Sequence, residues 1–309
     1  MRAKGVTVRI ADFAEVEVEE RQEEEPQLSQ PPFGELLSVG GLGTSPDNQG
    51  FESKDTAITA AILDKYASSY PEEYGFACCD FIILGEMSAT PVVGQTTHII
   101  TYYGWALYQK CNISEHGIED LGAIHLPLAL TFELDERGYR LTDYWEPDPG
   151  SNFVSNVRDK FPSDIAEDGI DSQKYVIQQK QSCYKQAVQF SGLDTSTVIA
   201  GLLDDICNPA TASDSELGLS SNPGDYILAH PTEYRELIYF GEYTLRYCLK
   251  RFEGGDETSL KGKIMAHVCE DLLQTEDVIP VNAGTAATGQ SWYDALRAHA
   301  GNMVEPYLD

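Results

Sequence analysis

GAIHLPLALTFELDERGYRLTDYWE, Gly122 to Glu146, decides the fold. Both halves are rich in Leu, Ile, Thr, Phe, Tyr and Trp, residues that suit a pleated, half-buried surface. Asp135-Glu136-Arg137-Gly138 between them has the chemistry of a short hairpin turn. Two similar runs precede this pair, so strands are expected over 76–87, 96–109, 122–134 and 138–146. Upstream, Ser53 is a plausible N-cap, and Ile58, Ile62 and Tyr66 with Ala61 mark one face of a helix closed by Pro71. A helix followed by a four-strand meander predicts an α+β fold, a curved antiparallel sheet on a helix, of the cystatin-like or NTF2-like class. Ser151 is expected to cap a further short helix with Phe153, Val154, Val157 and Phe161 as its apolar stripe, ended by Pro162.

After the acidic link SDIAEDGIDSQ (163–173) the apolar spacing turns helical. Helices are expected over 173–190, 195–207, 231–239, 242–252, 258–274 and 290–304, with breaks at Asn222-Pro223-Gly224 and Gly254-Gly255. Short antiparallel pairs of this kind predict a small helical module of HEAT-like hairpins without a regular repeat. At the other end, Glu15-Val16-Glu17-Val18-Glu19-Glu20, Glu23-Glu24-Glu25, two prolines and GGLGTSPDNQG repel themselves and bury little. The expected division is therefore a disordered acidic arm or tether over 1–50, a sheet domain over 51–165, linking helices over 166–222 and a helical module over 223–309.

The 309 residues carry 21 basic and 50 acidic side chains, a net charge of −29. Such a surface repels phosphates and anionic headgroups, which argues against nucleic acid or bare membrane as partner. No run approaches the apolar length of a spanning helix, and the first twenty residues lack the apolar core of a signal peptide. The seven cysteines show no Cys-x-x-Cys or zinc-finger spacing, so most are expected as small buried hydrophobes, with Cys248 and Cys269 near enough on neighbouring helices to be bridged.

Four stretches are similar to a known family: TYYGWALYQ (101–109), the run from Leu126 to Pro162, the run from Ser221 to Phe252, and SLKGKIMAHVCEDLL (259–273). Together they resemble the extracytoplasmic C-terminal region of BlaR/MecR-like regulatory proteins of Gram-positive bacteria, over roughly residues 51 to 309. The resemblance implies an extracytoplasmic sensor or adaptor, tethered in such proteins to a membrane domain with a zinc-metallopeptidase His-Glu-x-x-His. No His-Glu dipeptide occurs in this chain, so the protease part does not carry over.

Within that family a β-lactam is sensed through a serine, which draws attention to Ser182-Cys183-Tyr184-Lys185. With 21 serines and 11 lysines in the chain, about one Ser-x-x-Lys is expected by chance. Helical spacing places Gln178, Gln181, Ser182, Lys185 and Gln189 on a polar stripe, with Cys183, Tyr184, Ala187 and Val188 facing a core. An acyl-serine would instead share a dry pocket with its lysine. Ser220-Ser221-Asn222 has the form of a partner motif but reads as a helix cap, and Lys-Thr-Gly is absent. The six histidines are scattered, with His98 and His125 on strands as the nearest thing to a ligand pair; neither a metal nor another cofactor is expected.

The remaining candidates are aromatic. Tyr103 and Trp105 share one face of their strand, Tyr102 and Tyr108 the other, and Tyr144 and Trp145 end the last strand. Tyr103, Trp105, Tyr144 and Trp145 are the candidate ligand-binding set, to be weighed against their being core. The expected function is a non-enzymatic sensor module binding a small ligand, peptide or protein. The alternatives are an acyl-serine activity through Ser182 and Lys185, and a cytoplasmic helical docking scaffold.

Overall fold

In the computed structural model, residues 50–67, 75–89, 97–210, 220–275 and 278–308 are described. The acidic arm expected over 1–50 lies outside them, Gly50 excepted. The described residues fall into two units, a sheet unit running up to Lys110 and again over Gly122–Tyr175, and a helical unit of Cys111–Leu121 with Val176–Asp309.

The sheet unit opens with α1, Lys54–Tyr66, whose N-cap Ser53 accepts the Thr56 N–H as expected. Four strands follow: β1 Phe76–Ala89, β2 His98–Ser114, β3 Gly117–Asp135 and β4 Gly138–Trp145, an antiparallel sheet in sequence order. One face buries Tyr102, Ala106, Tyr108, Leu128, Leu130 and Phe132 against Ala57, Ile58, Ile62 and Tyr66 of α1. The other buries Tyr103 and Ala129 against Val157, Phe161 and Ala166. Cover on both faces explains why β2 is buried without interruption from Tyr102 to Cys111 rather than at alternate residues.

At the β3–β4 turn Asp135 pairs with Gly138, and Asp135 Oδ1 accepts the Arg137 N–H at 2.7 Å. Gly138 has φ +106°, and Phe51 bridges to Tyr139 so closely that a side chain at Gly138 would meet the Phe51 carbonyl. Further along, Phe132 faces Leu141 but Thr131 faces Asp143, so Thr142 is an extra residue in β4. This bulge reverses the alternation for the rest of the strand. Tyr144 is thereby paired with Leu130 on the α1 side and Trp145 with Ala129 on the opposite side.

That opposite side is covered by α2, Phe153–Lys160. Its N-cap is Asn152 rather than the expected Ser151, and it makes no side-chain capping bond. Phe153, Val157 and Phe161 pack on the sheet, but Val154 is exposed. Val154 follows Phe153 by 100° of helical turn, away from the stripe.

The helical unit contains α3 Val176–Ser191, α4 Thr195–Cys207, α5 Pro223–Ala229, α6 Pro231–Phe240, α7 Glu242–Glu253, α8 Leu260–Leu273 and α9 Gly289–Ala300. The short α5 is additional to the expected set. Asp194, Asn222 and Ser259 cap their helices through side-chain oxygens, and Thr288 with Ser291 forms a capping box. Helix α8 packs against α4, α5, α6, α7 and α9, and it buries Ile264, Met265, Ala266, Val268, Cys269 and even Glu270. A helix buried around so much of its circumference is the centre of a bundle; in a stack of repeats each hairpin would meet only its neighbours. The α8–α9 crossing is close because Gly289 lies against the Gly262 backbone, where a Cβ would collide.

All seven cysteines are free thiols, and six are buried. Cys248 and Cys269 do meet, as expected from their helices, but as hydrogen-bonded thiols rather than a bridge. Among the described residues no helix is long and apolar enough to cross a membrane.

Candidate functional site

Three of the four aromatic candidates belong to the two cores, Tyr103 and Trp145 to one and Tyr144 to the other. Tyr103 and Trp145 both pack on Phe161, with ring centroids 5.2 and 6.0 Å away. Trp105 is 1% exposed, stacks on His125 at 4.6 Å and donates its indole N–H to the Asp168 carbonyl at 2.8 Å. Tyr144 sits on the far side of the sheet, 6.5 Å from Tyr66, whose hydroxyl donates to Glu146 at 2.8 Å. Burial pushes the Tyr66 and Tyr144 phenols well above their ordinary range. Tyr103, Trp145 and Tyr144 pack between sheet and helix, and the four rings do not converge on one surface.

Ser182 and Lys185 lie on α3 with the expected core residues Cys183 and Tyr184 buried beneath. The polar stripe is not all solvent-facing, however. Lys185 is exposed and pairs with Glu242 at 3.3 Å, but Ser182 is half-buried and accepts from Gln186 Nε2 at 3.5 Å. Gln181 donates to the Ile238 carbonyl at 2.9 Å, because α6 packs across α3 at this turn. The lysine an acyl-serine needs as its base is thus turned toward a carboxylate on another helix. Ser220 and Asn222 do what capping residues do: Asn222 Oδ1 accepts the Gly224 N–H, and Ser220 donates to Asp225. Among the described residues no group of three His, Cys, Asp or Glu side chains could hold a metal.

The sequence reading missed the end of the β2–β3 hairpin. Strand β2 runs on through KCNIS to Ser114 and β3 begins at Gly117, with Glu115 and His116 as a two-residue turn. Gly117 after a two-residue polar turn, flanked by Ile113 and Ile118, was the available signal. This tip belongs to the helical unit.

Between the tip and the α3–α4 turn lies an open cleft of about 490 Å³. Ile113, Ser114 and Glu115 form one wall, and residues 191–194 with Thr197 the other. The polar groups of both walls are pre-set by local bonds. Ser114 Oγ accepts the His116 N–H at 3.2 Å, and Ser191 Oγ accepts that of Leu193 at 3.2 Å. Asp194 accepts the Thr197 hydroxyl at 2.7 Å and the Ser196 and Thr197 N–H groups. These donors, the Thr197 hydroxyl foremost, hold its carboxyl below the usual range, so it is ionised. Glu115 adds a second, exposed carboxylate. The cleft is an acceptor-rich surface suited to a donor-bearing cation.

Comparison with protein-family models, with curated proteins and with solved structures gave no match for this chain.

Proposed function

We propose that this chain is a non-enzymatic recognition module that takes an ammonium or guanidinium group, on a small ligand or on a basic segment of a partner, into the cleft at the β2–β3 tip. The observation that carries this reading is the facing pair of walls, with ionised Asp194 on one and Glu115 on the other. The net charge of −29 would draw such a partner from a distance. The extracytoplasmic, BlaR/MecR-like sensor role, and the cystatin-like or NTF2-like likeness of the sheet unit, are proposals that rest on the sequence stretches and on one helix packed against a four-strand meander.

Titration with an arginine-rich peptide should show binding that weakens as salt is raised. It should fall in D194N, where asparagine still caps α4, and in E115Q. Binding unchanged in both variants would refute the cleft as the site. A fluorescent β-lactam should leave no covalent adduct, and an adduct on Ser182 found by mass spectrometry would instead establish the acyl-serine reading.

A further inference from the structure

Apolar and ionic groups dock the hairpin tip on the helices. Cys111 and Ile118 are buried, and Val198 of α4 lies 3.5 Å from where a side chain on Gly117 would begin. An ionic contact adds to these: Lys180 Nζ on α3 sits 2.5 Å from Asp120 Oδ2 on β3. Lys180 is only 8% exposed. A buried ammonium is tolerated where its surroundings are built for it, and here they are. The Tyr239 ring lies 5.8 Å from Nζ, Tyr184 packs 5.4 Å from Tyr239, and Tyr184 donates to Glu236 at 2.7 Å. Burial holds the Glu236 carboxyl above its usual range, although Tyr184, Arg235 and Lys180 all favour its charge. Lys180 is thus fixed from α3 and α6 and reaches across to the hairpin.

The two elements joined by the pair also carry walls of the cleft. From Asp120 to Gly117 the strand covers about 10 Å at roughly 3.3 Å per residue, and the Glu115-His116 turn closes the hairpin beyond it. From Lys180 to Ser191 the helix covers about 16 Å at 1.5 Å per residue. Beyond the ion pair, the hairpin tip and the C-terminal end of α3 both line the cleft.

We infer that Lys180 is the positioning residue of the cleft, its pair with Asp120 setting where the hairpin wall stands against the α3–α4 turn. The functional meaning rests on the cleft being the binding surface, but the docking does not, and the test separates them. Hydrogen exchange on the full chain should show amides 112–121 exchanging about tenfold faster or more in D120A and K180M, with those of 183–188 unchanged. K180R should keep the protection that K180M loses, and E119Q, which removes a neighbouring charge, should leave it intact. The arginine-rich peptide should bind several-fold more weakly to D120A. Because K180M could disturb the α3–α6 contact, D120A at the exposed partner decides the matter. Exchange over 112–121 in D120A within twofold of the parent protein would overturn the inference. If the parent protein binds no peptide, the binding reading fails while the exchange result still stands for or against the docking.

Discussion

Trp292 on α9 donates its indole N–H to Glu270 Oε1 on α8 at 3.2 Å, and the same carboxylate accepts the Ala283 N–H at 2.9 Å. Glu270 is buried, so its removal strands two donors away from water. E270A should lower stability by about 3–5 kcal/mol, read from urea unfolding followed by tryptophan fluorescence. E270Q keeps one acceptor oxygen and should cost less. Equal, small losses in both would show that the carboxylate does not hold the segment between α8 and α9.

The bulge at Thr142 makes a sharper claim about the sheet. Deleting Thr142 removes only the extra residue and leaves Leu141, Asp143 and Tyr144 opposite Phe132, Thr131 and Leu130, whereas inserting one alanine after Asp143 would turn Tyr144 away from the α1 core. The insertion should abolish cooperative unfolding of the sheet unit and its near-ultraviolet circular dichroism, and the deletion should keep both. T142A keeps the register and loses only the bond to the Thr131 carbonyl, at a cost of about 1 kcal/mol.

His267 gives a pH dependence of known sign. Burial, reinforced by Lys263, lowers its pKa from the ordinary 6.5 to about 4. Between these values the unfolded chain binds a proton that the folded chain refuses. Stability from this group is therefore fully present above about pH 6.5 and is lost as pH falls toward 4, roughly 3 kcal/mol in all. The raised Glu236 acts in the opposite sense, since its folded carboxyl holds a proton longer than the unfolded one. The comparison of parent protein with H267Q isolates the histidine: the variant should lose less stability between pH 6.5 and 4. Parallel pH profiles would mean that His267 is not held neutral.

Of the seven thiols, Cys207 alone is half-buried and the others are buried. Burial pushes Cys207 up to about 11, with Lys261 opposing. The native protein should therefore show one slow thiol toward a disulfide reagent at neutral pH, abolished in C207S. All seven should react after denaturation, and a Cys248–Cys269 bridge would leave five.

The parts of the fold legible in the sequence are those with a local cause. Ser53, the Asp135–Gly138 turn and the helical spacing of Cys183 and Tyr184 each announce themselves within a few residues. Hidden from such a reading were features set by partners distant in the chain. The Thr142 bulge depends on what faces β3, and nothing within LTDYW distinguishes it from regular alternation. Lys180 reads as an ordinary polar helix residue until Asp120, sixty positions earlier, is placed beside it. A strand's alternation shows that Tyr103 and Trp105 share a side, but not that α2 covers Tyr103 or that Trp105 meets His125 and the Asp168 carbonyl. The cleft was invisible for the same reason, since its walls are built from segments far apart in sequence.

Strands β2 and β3 are 17 and 19 residues long, and their shared tip, Cys111–Leu121, clusters with helices that begin at Val176. Neither unit is therefore a continuous length of chain. A fragment starting at Val176 would lack a piece of its own unit, with Val198 and Lys180 uncovered, and a fragment ending at Tyr175 would carry that piece with nothing to receive it. In folding terms, the helical unit closes only after a contact spanning some sixty residues has formed. Truncation should thus yield two defective halves, and dissection of this protein calls for point substitutions in the whole chain.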